Sequence, residues 1–309
     1  AAPDIDSIYQ VPINFEKKDL GNKILKKLSL KAKPTAISKA NEKKWNQMLK
    51  NIREAKKEVN IGIVGKYFAT GDFSLSDSYI SVIEAIKHAG AYNKIKPKLH
   101  WVSAEEVEKK GTIILKKFDG IIVPQGWGSR GSEGKIKTIK YCREKKVPYL
   151  GLCYGMQMAV IEFARNVCNL KDANSQEVNP KGKNSVIHIM PEQEELIKKK
   201  GYGGTIRLGA WPCKMKPKTK LAEAYGKLGF KDIINERHRH RYEFNNDYRE
   251  LFEKKGLIIS GTSPDDHIVE AVEIKNHPFF VGVQFHPEYI SRPLAPHPLF
   301  VEFIKSLKK

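Results

Sequence analysis

A cysteine between two glycines, Gly151-Leu152-Cys153-Tyr154-Gly155, follows the apolar run Val147-Pro148-Tyr149-Leu150 and precedes a helix-like stretch at 156–164. The run reads as a buried strand. A nucleophile on a sharp strand-to-helix turn is pushed out of the backbone. The helix behind it offers unpaired N–H groups and the positive end of its dipole, which favour a thiolate and a developing oxyanion. The flanking glycines are expected to permit the strained dihedrals and the close approach of a substrate. A complementary half lies far downstream in Gln284-Phe285-His286-Pro287-Glu288, at the end of a strand candidate at 279–285. Side chains two apart on a strand share a face. His286 and Glu288 therefore point the same way if extended geometry continues through Pro287. Glu288 would hold one imidazole nitrogen and leave the other to take the Cys153 proton. A lone cysteine is more often inert, and a lone histidine near a strand end is usually structural. The order Cys…His-x-Glu is what makes the two halves specific.

The elements around these residues alternate. Strands are expected at 61–67, 96–102, 118–124 and 147–152, with helices at 77–89, 104–110 and 133–145. Such alternation argues an α/β fold: a doubly wound, mostly parallel central sheet with helices on both faces. Ligands in such sheets sit beyond the carboxyl ends of strands, where both Cys153 and the 124–128 loop fall. Shorter strands at 186–190, 205–208, 257–260, 268–274 and 279–285 suggest a small antiparallel extension, and 298–307 closes the chain as a helix. Residues 1–59 read as a helical connector without its own core, and 60–309 as the main domain. Within the connector, 19–30 and 43–55 carry an apolar stripe at helical spacing, and 31–40, with Pro34, reads as a linker.

At 309 residues the chain can bury one large core, with or without a small appendage. No apolar run approaches the roughly 18–20 residues that span a bilayer, and the N-terminus lacks an apolar signal region. The opening Ala-Ala-Pro suggests a processed or excised chain. Cys142, Cys153, Cys168 and Cys213 have no metal-like or redox spacing. They point to a reducing, cytoplasmic setting and no metal. A formal net charge of +20 invites an anionic partner. The lysines are scattered, however, with no RNA-binding signature and no interleaved aromatics, so the reading is a lysine-rich surface with neither nucleic acid nor membrane as partner.

Taken together, these segments resemble the class I glutamine amidotransferases, and within them the C-terminal glutaminase domains of CTP synthases. The residues that carry the resemblance include Val123-Pro124-Gln125-Gly126-Trp127-Gly128-Ser129-Arg130-Gly131, Gly151-Leu152-Cys153-Tyr154-Gly155-Met156-Gln157 and Ala173-Asn174-Ser175. With them go Glu236-Arg237-His238-Arg239-His240-Arg241-Tyr242-Glu243-Phe244-Asn245 and Gln284-Phe285-His286-Pro287-Glu288. The Arg/His run and residues 159–166 point to CTP synthases in particular.

The resemblance implies a flavodoxin-like fold and a Cys153–His286–Glu288 triad that hydrolyses L-glutamine to glutamate and ammonia through a thioester. The N–H groups of Tyr154 and Gly126 would meet the oxyanion. Gly126, Tyr154, Gly155, Met156 and Gln157 would line the glutamine site, with Glu177 on the α-ammonium and Arg241 on the α-carboxylate. It implies no cofactor here. In the full enzyme it implies ATP and Mg2+ for the amination of UTP in a synthetase domain of the same polypeptide, GTP as activator, and a homotetramer. For this part alone it implies a monomer or weak dimer. Two positions depart from the family pattern. Gln125 stands where the first of a glycine pair is usual, which leaves open a differently seated oxyanion loop, and Tyr154 stands where leucine is common. Two other readings stay open: another class I amidotransferase subunit, and a catalytically weak domain kept for GTP regulation and oligomer or filament contacts.

Overall fold

A computed structural model describes residues 4–33, 35–66, 69–70, 73–74, 76–190 and 206–307. Expectations that touch Pro34, Tyr67 and Thr205 lie outside the described residues. The N-terminal part holds α1 (Val11–Lys17), α2 (Leu20–Lys27) and α3 (Ala36–Glu54). Then come β1 (Lys57–Gly65), the short β2 (Ala69–Thr70) and β3 (Phe73–Ser74), α4 (Ile80–Asn93), β4 (Ile95–Ser103), α5 (Ala104–Lys110), β5 (Gly120–Val123), α6 (Ser132–Lys145), β6 (Tyr149–Leu152) and α7 (Tyr154–Asn166). The second half holds β7 (Asn174–Ser175), β8 (Ser185–Ile189), β9 (Arg207–Met215), α8 (Lys220–Gly226), β10 (Ile233–His240), β11 (Tyr242–Phe244), α9 (Arg249–Lys254), β12 (Leu257–Thr262), β13 (Val269–Ile274), β14 (Phe280–Val283) and α10 (Pro298–Ser306).

Strands buried along their whole length take the middle of the sheet. β5, β6 and β14 are such strands, and they sit at the centre of the order β10-β9-β12-β13-β14-β6-β5-β1-β4. The block β14, β6, β5, β1, β4 is parallel. Helical crossovers cover it, as parallel neighbours require. β13, β12, β9 and β10 continue the sheet antiparallel. One apolar cluster joins one face to α5, α6, α7 and α9. A second joins the other face to α4, α8 and α10. The fold is thus the expected α/β class with its antiparallel extension.

Some local expectations shift. The strand expected at 186–190 does not join the main sheet. It is β8, paired with β7 and β11 in a separate three-stranded sheet, and its Val186 and Ile187 are buried in the cluster that includes Phe163 and Ala164 of α7. β9 continues to Met215, well past the expected end at 208. Residues 36–40, expected as linker, are the first turns of α3, whose N-cap Thr35 accepts the Ser38 N–H at 3.1 Å. α1, α8 and α9 are too short to produce a clear periodicity. Tyr9, Met48 and Leu49 form a small buried cluster with Ala91 of α4, and Trp45 Nε1 donates to Tyr9 O at 2.8 Å. Among the described residues no helix is long and apolar enough to cross a membrane.

Candidate active site

Cys153 sits between the end of β6 and the first turn of α7, at φ 52° and ψ −101°. A residue with a Cβ pays for positive φ. The flanking glycines were expected to carry this strain. Neither Gly151 nor Gly155 has a left-handed φ, so the strain falls on the cysteine itself. The glycines supply space instead. A Cβ on Gly155 would lie 2.1 Å from Val123 O, and one on Gly151 would lie 2.5 Å from the Tyr149 hydroxyl. The elbow is tied down on both sides: the Cys153 N–H donates to Val283 O at 2.7 Å, and the Gln157 N–H donates to Cys153 O at 3.2 Å. The thiol is buried. It donates to Arg239 O at 3.9 Å and accepts from Gln284 Nε2 at 3.6 Å.

His286 and Glu288 meet, but not by the expected route. β14 ends at Val283, and Pro287–Tyr289 form a 3-10 turn with proline in its first position. The fixed φ of Pro287 suits such a start. The turn, rather than continued strand, brings Glu288 Oε1 to 2.8 Å from His286 Nδ1. Both side chains are buried. The His286 N–H donates to Arg237 O at 2.8 Å, and its ring stacks on Tyr289 at 4.7 Å. Among the described residues Nε2 is buried without a hydrogen-bond partner. Burial opposes a charge on this imidazole, yet Glu288 and Cys153 beside it hold its pKa well above the usual value. The group is therefore suited to form an imidazolium opposite a thiolate.

The 124–128 loop lies over the elbow and is gripped through its carbonyls. Lys66 Nζ donates to Trp127 O and, at 3.3 Å, to Gly128 O. The Tyr154 hydroxyl also donates to Gly128 O, at 2.7 Å. The Tyr79 hydroxyl donates to Gln125 O at 3.3 Å, and Lys135 Nζ donates to Pro124 O at 3.4 Å. Gln125 has no left-handed φ, so its Cβ costs no backbone strain. A Cβ on Gly126 would come within 3.1 Å of Lys135 Nζ and 3.3 Å of Lys66 Cε.

Glu177 reaches this loop: its Oε1 accepts the Gly128 N–H at 2.8 Å. Burial raises its pKa, against the pull of that N–H and of Lys66, Arg241 and Lys135. Arg241 thus lies within electrostatic reach of Glu177, and among the described residues its Nε is buried without a partner. A carboxylate and a guanidinium so placed can hold the two ends of an amino-acid zwitterion. Gln157 is already engaged, donating to Tyr242 O at 3.0 Å and Gln284 Oε1 at 3.3 Å. Met156 packs into the core beside Gly282, where an added Cβ would lie 3.2 Å from the Met156 Cα. Any contact from Met156 to a ligand would therefore run through its backbone. The structure gathers Cys153, Tyr154, Gly126, Glu177 and Arg241 around the loop, while Gly155 and Met156 serve the packing beneath it.

Along β10 the burial alternates, with Arg237 and Arg239 exposed and His238 and His240 buried. The buried pair meets Glu270 in a grouping that could hold a metal ion. A cation of the chain already stands there: Arg207 Nη1 lies 3.2 Å from His238 Nδ1, 3.3 Å from His240 Nε2 and 2.7 Å from Glu270 Oε1. Burial lowers both imidazole pKa values, that of His240 to about 3, and raises Glu270 to about 7. The cluster is an arginine-centred brace under the strand that passes Cys153.

Sequence reasoning missed Lys66, Lys135, Tyr79 and Gln284 as neighbours of the site. Lys135 left a readable sign, because it shares one face of α6 with Ile139 and Cys142 at helical spacing. A lysine on the buried stripe of a helix calls for an explanation.

A family model described as "Glutamine amidotransferase class-I" matches residues 74–306. The chain is 52% identical over 304 residues to a CTP synthase of Carboxydothermus hydrogenoformans, covering 98% of this chain and 54% of the relative. It is 50% identical over 305 residues to a CTP synthase of Caldanaerobacter subterraneus subsp. tengcongensis, with 98% and 54% covered. The chain spans about half the length of the curated relatives it matches. Among solved structures it is similar to the glutaminase domain of Trypanosoma brucei CTPS with bound acivicin, at 36% identity and a TM-score of 0.72, covering 81% of this chain and 93% of that one.

Proposed function

The chain belongs to the class I glutamine amidotransferases, as a glutaminase domain of the CTP synthase type, and we propose that Cys153, His286 and Glu288 are its catalytic triad. Cys153 Sγ attacks the side-chain amide carbon of glutamine. The thiol proton passes to His286 Nε2, while Glu288 holds Nδ1 and the charge that forms on the ring. Collapse of the tetrahedral intermediate breaks the C–N bond. His286 returns the proton to the leaving nitrogen, and ammonia departs. Water, deprotonated by the same imidazole, then cleaves the thioester to glutamate. The N–H groups of Tyr154 and Gly126 receive the oxyanion in both halves. Glu177 and Arg241 orient the substrate by its ammonium and carboxylate.

The observation that carries this reading is the buried His286–Glu288 pair at 2.8 Å, with Cys153, held at positive φ, within reach of the same imidazole. In a longer polypeptide of the relatives' length, the ammonia would serve the ATP-dependent amination of UTP to CTP, with GTP promoting the glutaminase step. This chain carries no Gly-rich loop followed by Lys-Ser/Thr. ATP and Mg2+ are therefore assigned to the portion of the relatives that it does not span, and no glutaminase step runs through them. A homotetramer is likewise proposed for the longer protein.

The test is intact mass after exposure to a glutamine-mimicking diazoketone, with and without excess glutamine. A single adduct on Cys153, suppressed by glutamine, is expected. No adduct on the complete enzyme with GTP present would sink the triad assignment.

A further inference from the structure

Lys135 is wholly buried. Its hydrogen-bond acceptor is Pro124 O, at 3.4 Å. Its ammonium lies 4.8 Å from the centre of the Tyr154 ring and so close behind Gly126 that an added Cβ there would stand 3.1 Å away. A buried ammonium needs several acceptors or an anion to offset its lost hydration. Among the described residues it has one long hydrogen bond, a ring face and a share of Glu177, whose carboxylate is already engaged by the Gly128 N–H and by Lys66, and these fall short of that. Cys153, where negative charge gathers during glutamine cleavage, lies within electrostatic reach of the ammonium.

We propose that Lys135 is a positioning residue of the glutaminase site, fixing Pro124 and Tyr154 behind the oxyanion loop and lending positive charge to the thiolate and the oxyanion. The inference rests on the glutaminase reading above. It adds a group outside the triad whose charge is least satisfied in the free enzyme and best satisfied when the intermediate forms. That is the differential stabilisation catalysis requires.

The surroundings fix the direction of its titration. Lys66, at the end of β1, acts on it as a like charge, and Cys153 and Glu177 act on it in the opposite sense. Burial is the largest effect, and it brings the ammonium down to about 7. On the α5 side, Glu108 is spent on the Gly134 N–H at 2.9 Å and Glu105 on Arg130 at 3.3 Å. The charge is therefore present at acidic pH and withdrawn as pH rises through neutrality.

The experiment compares ammonia release from glutamine by the wild type and by Lys135→Met, as kcat and KM across pH. Methionine keeps most of the side chain's length without the charge. The wild-type advantage in kcat/KM should be about tenfold or more near pH 6 and should shrink toward one by about pH 9, when Lys135 has lost its proton. It should lie mainly in kcat. A ratio near one throughout, or a reduced activity whose ratio is flat with pH, overturns the inference and marks Lys135 as packing only. A wild type that releases no ammonia in the complete enzyme with GTP sinks the glutaminase reading, and this inference with it. Thermal melts at both pH values verify folding, and Lys135→Leu replaces the methionine variant if that one does not fold.

Discussion

Cys153 shows how a single residue holds a conformation it does not favour. Positive φ on a non-glycine costs on the order of 1–3 kcal/mol. The bonds to Val283 O and from the Gln157 N–H hold it in place. His286 is governed by its partner: Glu288 offsets the desolvation that would otherwise keep the ring neutral. Replacing Glu288 by glutamine leaves the shape and removes the charge. The expected result is a loss of about 10²–10⁴ in kcat, with KM changed far less, read by steady-state glutamine hydrolysis. An unchanged kcat would count against Glu288 as orienter.

Lys135 makes a second prediction, on stability. Its pKa falls from the ordinary lysine value to about 7 on folding. Between those limits the unfolded chain binds the extra proton, so stability rises with pH there, and below the lower limit the burial cost is felt in full. Lys135→Met should therefore raise the melting temperature most below neutral pH, with the gain fading as pH climbs toward the lysine range. A gain that grew with pH would contradict a buried ammonium.

Elements transmit these demands through close packing. α7 can start directly behind Cys153 because Gly155 lets it approach β5. An alanine there would drive its Cβ to 2.1 Å from Val123 O, a backbone atom with nowhere to go. Gly155→Ala should cost about 1–3 kcal/mol or more and displace the elbow, so that urea unfolding and glutaminase activity fall together. Preserved stability and activity would refute this packing role. Farther along, α6 is clamped to α7 by Arg143, whose Nε and Nη2 reach the wholly buried Glu162 at 2.9 and 2.7 Å. Glu162 has its pKa raised by burial, against the pull of Arg143. Arg143→Ala would strand that carboxylate and should destabilise by about 3–5 kcal/mol in denaturant melts. Because α6 also carries Lys135, loosening the clamp should also disturb the loop above the elbow.

At the scale of the molecule, the site is assembled at the carboxyl ends of adjacent parallel strands. β5 delivers the 124–128 loop, β6 the cysteine and β14 the histidine, and β10 at the far edge sends its end past all three. The N-terminal helices stand apart from this machinery. Their buried cluster of Tyr9, Met48 and Leu49 rests on Ala91 of α4. A chain beginning at Lys57 should therefore keep its turnover of glutamine and melt several degrees lower. Lost activity with intact folding would show that these helices shape the site.

The sequence by itself determined the family and the class of fold, and it carried the residues proposed for the chemistry. Cys153 between glycines, the later His286 and Glu288, and the alternation of strand-like and helix-like runs are all local patterns. Local patterns report which face of an element is apolar and which groups are reactive. Only the tertiary structure decided that strain rests on Cys153 rather than on its glycines, that a proline-led turn joins His286 to Glu288, and that 186–190 leaves the main sheet. It alone placed Lys135 behind Gly126 and Arg207 among His238, His240 and Glu270. Each of these depends on which segments become neighbours across the sheet. Strand order is set by the packing of the whole chain, and no periodicity within a single segment encodes it.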